Sequence, residues 1–173
     1  KIFFNWKPFF LNPDIISKGI NRQEYLNNKF GGKNNATKIY QNISLVGKKA
    51  GIKFNFDKIN MMPNSLNAMK LICSIQDFEK ASFLIDDLFK AFFLKGEDIG
   101  CSDILLKYAK YYIDNLNIQK INDTKNNKKL LDTASKFKTY GIYGVPAIII
   151  NKKHYITGAQ ETRKLESIFN NLS

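Results

Sequence analysis

The stretch Gly144-Val145-Pro146-Ala147-Ile148-Ile149-Ile150 decides the fold of this chain. The run that follows the proline is apolar and mostly β-branched, which is typical of a strand. Because proline has no backbone N–H to donate to a strand ladder, Pro146 belongs at the start of that strand. Asn151-Lys152-Lys153 predicts a turn and His154–Thr157 a second strand. The chain therefore contains a β-hairpin near its end, closed by Gly158.

Most of the remaining sequence shows helical periodicity. Caps, apolar positions at helix spacing and terminal glycines predict about six helices before the hairpin and one after it. In contrast, Ile2–Phe10 is aromatic and apolar and predicts a short strand. A lone strand needs partners, and the only other strands lie beyond residue 144. We therefore predict an α/β fold in which residues 1–18 and 125–173 form a small sheet domain, interrupted by an all-helical insertion at residues 19–124.

The sequence also predicts individual helix ends and buried faces. Helix stops are expected at Gly31, Gly51 and Gly96, and Asn21 and Ser102 are expected N-caps. A further group is expected to face the core: Trp6, Ile39, Ile43, Val46 and Cys73.

Composition excludes several classes of protein. The hydrophobic content of 44% is ample for a packed core, and no apolar run approaches the roughly 20 residues that a bilayer span needs. The net charge is +12, but the lysines are scattered, which indicates solvated helix faces rather than a nucleic-acid-binding surface. Cys73 and Cys101 form no CxxC, and the chain has one histidine, so we expect no metal site and a reducing, cytoplasmic compartment.

The loop before the first hairpin strand is the main candidate site. A cis peptide bond before Pro146 would expose the N–H and C=O of Val145 for pairing with an extended substrate. Gly144 would permit an unusual backbone angle there. The alternative is an ordinary trans proline that begins a strand.

Three polar residues are further candidates, because each stands where a strand or loop meets a helix. They are Asn12, Asn64 and Gln160. Asn12 and Asn64 could line a groove, and Gln160 could hold a substrate carbonyl or carboxylate. Each is also a natural turn, cap or helix-start residue, and the residues alone leave both interpretations open.

Taken in order, short motifs along the chain resemble one family. They are Trp6-Lys7-Pro8-Phe9, Leu11-Asn12-Pro13-Asp14, Glu24-Tyr25-Leu26, Pro63-Asn64-Ser65, Gly144-Val145-Pro146 and Gly158-Ala159-Gln160. This series covers nearly the whole chain and resembles the FrnE-type branch of the DsbA-like thioredoxin-fold proteins. The resemblance implies a thioredoxin fold interrupted by a helical domain, and a cis peptide bond before Pro146.

The same resemblance implies a thiol–disulfide oxidoreductase that acts without a cofactor on a protein or small-molecule thiol or disulfide. In this family a Cys-x-x-Cys at the start of the first helix provides the attacking thiolate, whose pKa the helix N-terminus lowers. The printed sequence has no such motif and begins where the family's second strand would. We therefore expect an N-terminally truncated fold that is inactive by itself. The residues expected to bind the substrate are Pro146, Gly144, Val145, Gln160, Asn12 and Asn64.

Two alternatives stay open. Kappa-class glutathione transferases and 2-hydroxychromene-2-carboxylate isomerases share this architecture, place a serine where the leading cysteine stands, and would make glutathione the cofactor. Gly158-Ala159-Gln160 resembles the oxidoreductase branch more closely. The other alternative is a redox-inactive binding module. Whether the chain forms a homodimer is also left open.

Overall fold

The structure is a computed structural model that describes residues 3–172, the side chain of Lys33 aside. Helices dominate these residues. The helices are α1 (Arg22–Phe30), α2 (Lys33–Lys49), α3 (Leu66–Ser74), α4 (Phe78–Lys90), α5 (Ser102–Ala109), α6 (Ile118–Asn122), α7 (Asn127–Thr139) and α8 (Thr162–Leu172). The strands are β1 (Ile20–Asn21), β2 (Met61–Met62), β3 (Ala147–Ile150) and β4 (His154–Thr157).

Local sequence signals account for several helix ends. The Asn21 side chain accepts hydrogen bonds from the backbone N–H groups of Gln23 and Glu24 and so begins α1. Gly31 ends α1 with a φ of 68°, a left-handed conformation that glycine adopts without steric cost. Both predictions are confirmed. The prediction that Ser102 caps α5 is wrong by one residue, because Cys101 occupies the N-cap.

The main core lies between α3, α4, α5 and α6. Apolar residues at helix spacing on each of these helices point to a common centre, where they exclude water. The buried cluster consists of Ala68, Leu71, Leu84, Leu88, Ala91, Leu105, Tyr108, Ala109 and Ile121. The apolar positions of α4 and α5 recur at helix spacing, and these two helices contribute Leu84, Leu88, Leu105, Tyr108 and Ala109 to the cluster.

Two antiparallel strand pairs are present in the described residues. β3 pairs with β4, with Ala147 opposite Thr157 and Ile150 opposite His154, which confirms the predicted hairpin. β1 pairs with β2, and neither of these two short strands was predicted. A strand of two residues is too short to show the alternation on which a prediction would depend.

The predicted N-terminal strand is wrong for residues 3–10, which form no strand, while Ile2 lies outside the described residues. A strand exists only through hydrogen bonds to a partner, and within residues 3–172 β3 and β4 pair only with each other. Trp6 is consequently not in a core. Its side chain is 42% exposed, and its indole N–H donates to the Ser82 hydroxyl at 2.8 Å.

The buried face of α2 also differs from the prediction. Ile39, Ile43 and Val46 are exposed, and the buried side of the helix carries Ala36 and Gly47 instead. A Cβ at Gly47 would lie 2.4 Å from the Phe54 ring, so the missing side chain lets that ring approach the helix. The close contact with Phe54 decides which face turns inward.

None of the helices described is long and apolar enough to cross a bilayer. The domain boundaries at residues 18 and 124 stay a prediction.

Candidate functional site

The Val145–Pro146 loop leads directly into β3. The peptide bond between these two residues is cis. The Val145 side chain is 50% exposed, and Pro146 is exposed as well. The Pro146 carbonyl accepts a hydrogen bond of 2.8 Å from the backbone N–H of Gly158. This bond ties the loop to the residue that follows β4.

The backbone of Val145 is unpaired. Within residues 3–172, neither its N–H nor its C=O has a hydrogen-bond partner. The residue stands in line with β3, whose one strand partner among residues 3–172 is β4. Because a strand forms hydrogen bonds along both edges, a donor and an acceptor in this position suit an added extended peptide.

Gly144 does not have the unusual backbone angle that was predicted for it. Its φ is not among the positive φ values of the chain, and no atom lies within 4 Å of the place where a Cβ would stand. The open space in front of the residue, and not a left-handed turn, is what the glycine contributes to the loop.

Gln160 lies beside the same loop. Its side-chain Nε2 donates to the carbonyls of Thr157 at 3.1 Å and Gly158 at 3.4 Å. Since Gly158 is bonded in turn to Pro146, the structure brings Gln160 together with the Val145–Pro146 loop. The amide of Gln160 holds the hairpin end in place, and its substrate-binding role stays a prediction.

Asn12 belongs to a second cluster. Its Oδ1 accepts hydrogen bonds from the Tyr25 hydroxyl and from the Lys29 Nζ, both at 3.3 Å. Lys29 also donates to the Tyr25 hydroxyl. Tyr25 and Lys29 were not predicted as partners of Asn12. Their spacing of four residues puts them on one face of α1, but only the folded chain brings Asn12 to that face.

Asn64 uses both ends of its side-chain amide within the protein. Its Nδ2 donates to the Ile15 carbonyl at 2.7 Å, and its Oδ1 accepts from the Leu66 backbone N–H at 2.9 Å. Ile15 also donates its N–H to the Asn12 carbonyl. Asn12 and Asn64 are therefore joined through Ile15, and no hydrogen bond in the described residues connects this pair to the Val145–Pro146 loop. Substrate binding by either residue stays a prediction.

The two cysteines lie in different environments. Cys73 was expected in the core but is exposed, because α3 turns Ala68 and Leu71 inward and Cys73 lies on the other side of the helix. Partial desolvation raises the pKa of its thiol, with the Lys7 ammonium acting in the opposite direction. Cys101 is exposed at the start of α5.

The raised pKa of Cys73 predicts slow alkylation. In the variant Cys101→Ser, we expect iodoacetamide to modify Cys73 more slowly than free cysteine at neutral pH, because the thiolate is the nucleophile and less of it is present. The rate should rise with pH through a midpoint above that of free cysteine. Mass spectrometry would follow the modification, with Cys73→Ser as the control for labelling at Cys101. A midpoint below that of free cysteine would contradict the prediction.

A metal centre has no ligand set in residues 3–172. No group of three His, Cys, Asp or Glu side chains there comes together in a way that could hold an ion. The single histidine, His154, is exposed on the hairpin.

Comparison with known proteins agrees with this arrangement. The chain matches the DSBA-like thioredoxin domain over residues 1–170, and no curated protein sequence matches it. A solved structure from Streptomyces coelicolor, described as a probable DsbA oxidoreductase, is similar to this chain, with a TM-score of 0.77 and a sequence identity of 14%. The similarity covers 94% of this chain and 72% of the Streptomyces coelicolor chain. The hairpin and helices thus form a thioredoxin-like α/β fold with a helical insertion, and the chain belongs to the DsbA-like thioredoxin family.

Proposed function

We propose that this chain belongs to the FrnE-type branch of the thiol–disulfide oxidoreductases, and that its Val145–Pro146 loop docks the extended backbone of a thiol or disulfide substrate. The observation that carries the proposal is the exposed residue Val145, two residues before β3, whose backbone N–H and C=O are both unpaired. A substrate strand would accept a hydrogen bond from the Val145 N–H and donate one to its C=O. Side-chain specificity would be secondary to this backbone pairing.

In this proposal, the residues of this chain contribute to the reaction by positioning the substrate. In thiol–disulfide exchange an attacking thiolate forms a bond to one substrate sulfur while the substrate S–S bond breaks, and the released thiolate takes up a proton from water. Cys73 is a poor attacking group because its thiol pKa is raised. No contact in the described residues brings either cysteine to Val145. We therefore assign the loop the docking role and neither cysteine the nucleophilic role.

A peptide titration followed by NMR tests the docking. The probe is an extended six-residue peptide with a central S-methylcysteine, compared with an analogue N-methylated at the bond expected to face Val145. We expect the peptide to shift the amide signals of Val145 and Ala147. The analogue should bind roughly 2- to 10-fold more weakly, because one hydrogen bond contributes about 0.5–1.5 kcal/mol.

Two variants separate the backbone of Val145 from its side chain. Val145→Pro removes the N–H and should weaken binding by a similar factor, while Val145→Ala keeps both backbone groups and should bind within about twofold of the parent. Thermal unfolding would verify that both variants fold. Equal weakening in the two variants, or no shift at the loop, would contradict the proposal. Shifts produced by glutathione and not by the peptide would support the glutathione-dependent alternative instead.

A further inference from the structure

A groove that shares no lining residue with the Val145–Pro146 loop opens between α1, α2 and residues 54–60. Its volume is about 1110 Å³, and its lining includes Arg22, Tyr40, Ser44 and Lys48. None of the six residues placed in the docking site lines it. The groove is thus a separate feature of the helical part of the chain, which the proposed function does not use.

The guanidinium of Arg22 lies close to two aromatic rings in this groove. Its guanidinium carbon lies 4.7 Å from the centre of the Tyr40 ring and 5.8 Å from that of Phe56. The two ring centres are 4.6 Å apart, and Phe54 stacks on Phe56 at 5.0 Å. Cation–π contact engages the face of a guanidinium and leaves its N–H donors at the edge. The Tyr40 hydroxyl interacts with part of that edge, and a guanidinium has further N–H donors for a ligand.

Arg22 has no counterion among the described residues. No ion pair joins its guanidinium to a carboxylate in residues 3–172. Burial raises the pKa of the Tyr40 hydroxyl, and Arg22 acts against that rise. Tyr40 therefore stays neutral at physiological pH and does not supply the missing negative charge.

The other residues that line the groove add positive charge, polar groups and aromatic surface. Lys48 adds a second cation at the rim, and Asp57 is the one acidic residue among the lining residues described. Gln41 and Ser44 bring polar groups to the same wall, while Phe54 belongs to the aromatic side. The groove combines a cation, flat apolar surfaces and polar side chains, with more positive than negative charge.

We propose that this groove binds a small anionic molecule with a planar apolar body, such as an aromatic carboxylate. The anionic group would accept hydrogen bonds from the Arg22 guanidinium, which presents two parallel donors to a carboxylate. The planar body would pack against the rings of Tyr40, Phe54 and Phe56. Lys48 at the rim would add attraction that falls as salt is added.

Three naphthalene probes of nearly equal size test the charge requirement. They are 1-naphthoate, the neutral 1-naphthalenemethanol and the cationic 1-naphthylmethylamine, each titrated by calorimetry. We expect 1-naphthoate to bind at least about tenfold more tightly than the alcohol, because hydrogen bonds to charged groups are worth about 1.5–3 kcal/mol. The amine should bind more weakly still. Amide shifts at Gln41 and Ser44, with none at Val145, would locate the naphthoate.

The chain has a second arginine that provides a matched control. Arg22→Gln should lower the affinity for 1-naphthoate at least about tenfold. Arg163→Gln, at an exposed position of α8, should leave the affinity for 1-naphthoate unchanged. Arg22→Lys keeps the charge but not the planar donors, so its affinity for 1-naphthoate should lie between those of the Arg22→Gln and Arg163→Gln variants. Should Arg22→Gln fail to fold, Lys48→Gln at the exposed rim gives a second test, with an expected loss of about two- to threefold.

Equal affinity for the three probes would overturn the proposal, and so would a folded Arg22→Gln variant that binds naphthoate like the parent. Displacement of naphthoate by the extended peptide would also overturn it, because the groove would then not be separate from the docking loop. Failure of the peptide to bind leaves these expectations unchanged, so the two proposals are tested independently.

Discussion

Replacing Leu105 with alanine is expected to lower the free energy of unfolding by about 2 to 5 kcal/mol. Leu105 is 0% exposed and lies at the centre of the cluster that joins α3, α4, α5 and α6. The substitution removes the transfer free energy of the lost carbon atoms. It also leaves a cavity that the surrounding helices fill only in part, which adds to the cost.

Denaturation in urea, followed by circular dichroism, would measure the change. Leu45→Ala is the matched control, because Leu45 is 61% exposed on a helix surface, and the same substitution there should change the free energy of unfolding by less than about 0.5 kcal/mol. The difference between the two variants reports the burial of Leu105. Equal losses in both would show that the α3–α6 cluster is not the main source of stability.

Gly96→Ala is expected to destabilise the protein by roughly 3 kcal/mol, from two causes that add. Gly96 ends the π-helical turn Ala91–Lys95, which continues α4, with a φ of 73°, where an alanine side chain is strained. A Cβ at this position would also lie 2.3 Å from the carbonyl oxygen of Lys58. Because that oxygen belongs to the backbone, relief requires the Phe56–Lys58 turn to shift.

Gly141→Ala separates the two causes. Gly141 has a φ of 77°, yet no atom lies within 4 Å of its Cβ position, so this variant carries the left-handed strain alone, about 1 kcal/mol. Urea denaturation of both variants should therefore show a difference of roughly 2 kcal/mol, which is the cost of the collision with Lys58. Equal destabilisation would mean that the backbone accommodates the Cβ freely.

Much of the local structure could be predicted because its causes are local. The hairpin β3–β4 follows from a β-branched run, a turn and a second short run. The start of α1 follows from the Asn21 side chain, and its end from Gly31. A cap or a glycine acts within a few residues of its own position, so the sequence nearby contains all the information needed.

The failures concern contacts between distant segments. The stripe of Ile39, Ile43 and Val46 has correct helical spacing, but Phe54 packs against Gly47 and turns another face of α2 inward. Residues 3–10 have the composition of a strand, but a strand also needs a neighbour whose hydrogen bonds complete it. The sequence of α2 does not reveal the contact with Phe54, and the sequence of residues 3–10 does not reveal whether a neighbouring strand is present.

The candidate site divides in the same way. The stretch from Gly144 to Ile150 determined by itself that a strand follows Pro146, because a proline without an N–H is tolerated next to a strand start and β-branched residues come after it. Only the tertiary structure decided that the Val145 backbone is left unpaired and that Arg22 meets the rings of Tyr40 and Phe56. Strand propensity is a property of neighbouring residues, whereas the pairing of a donor or a cation depends on which remote groups the fold brings within reach.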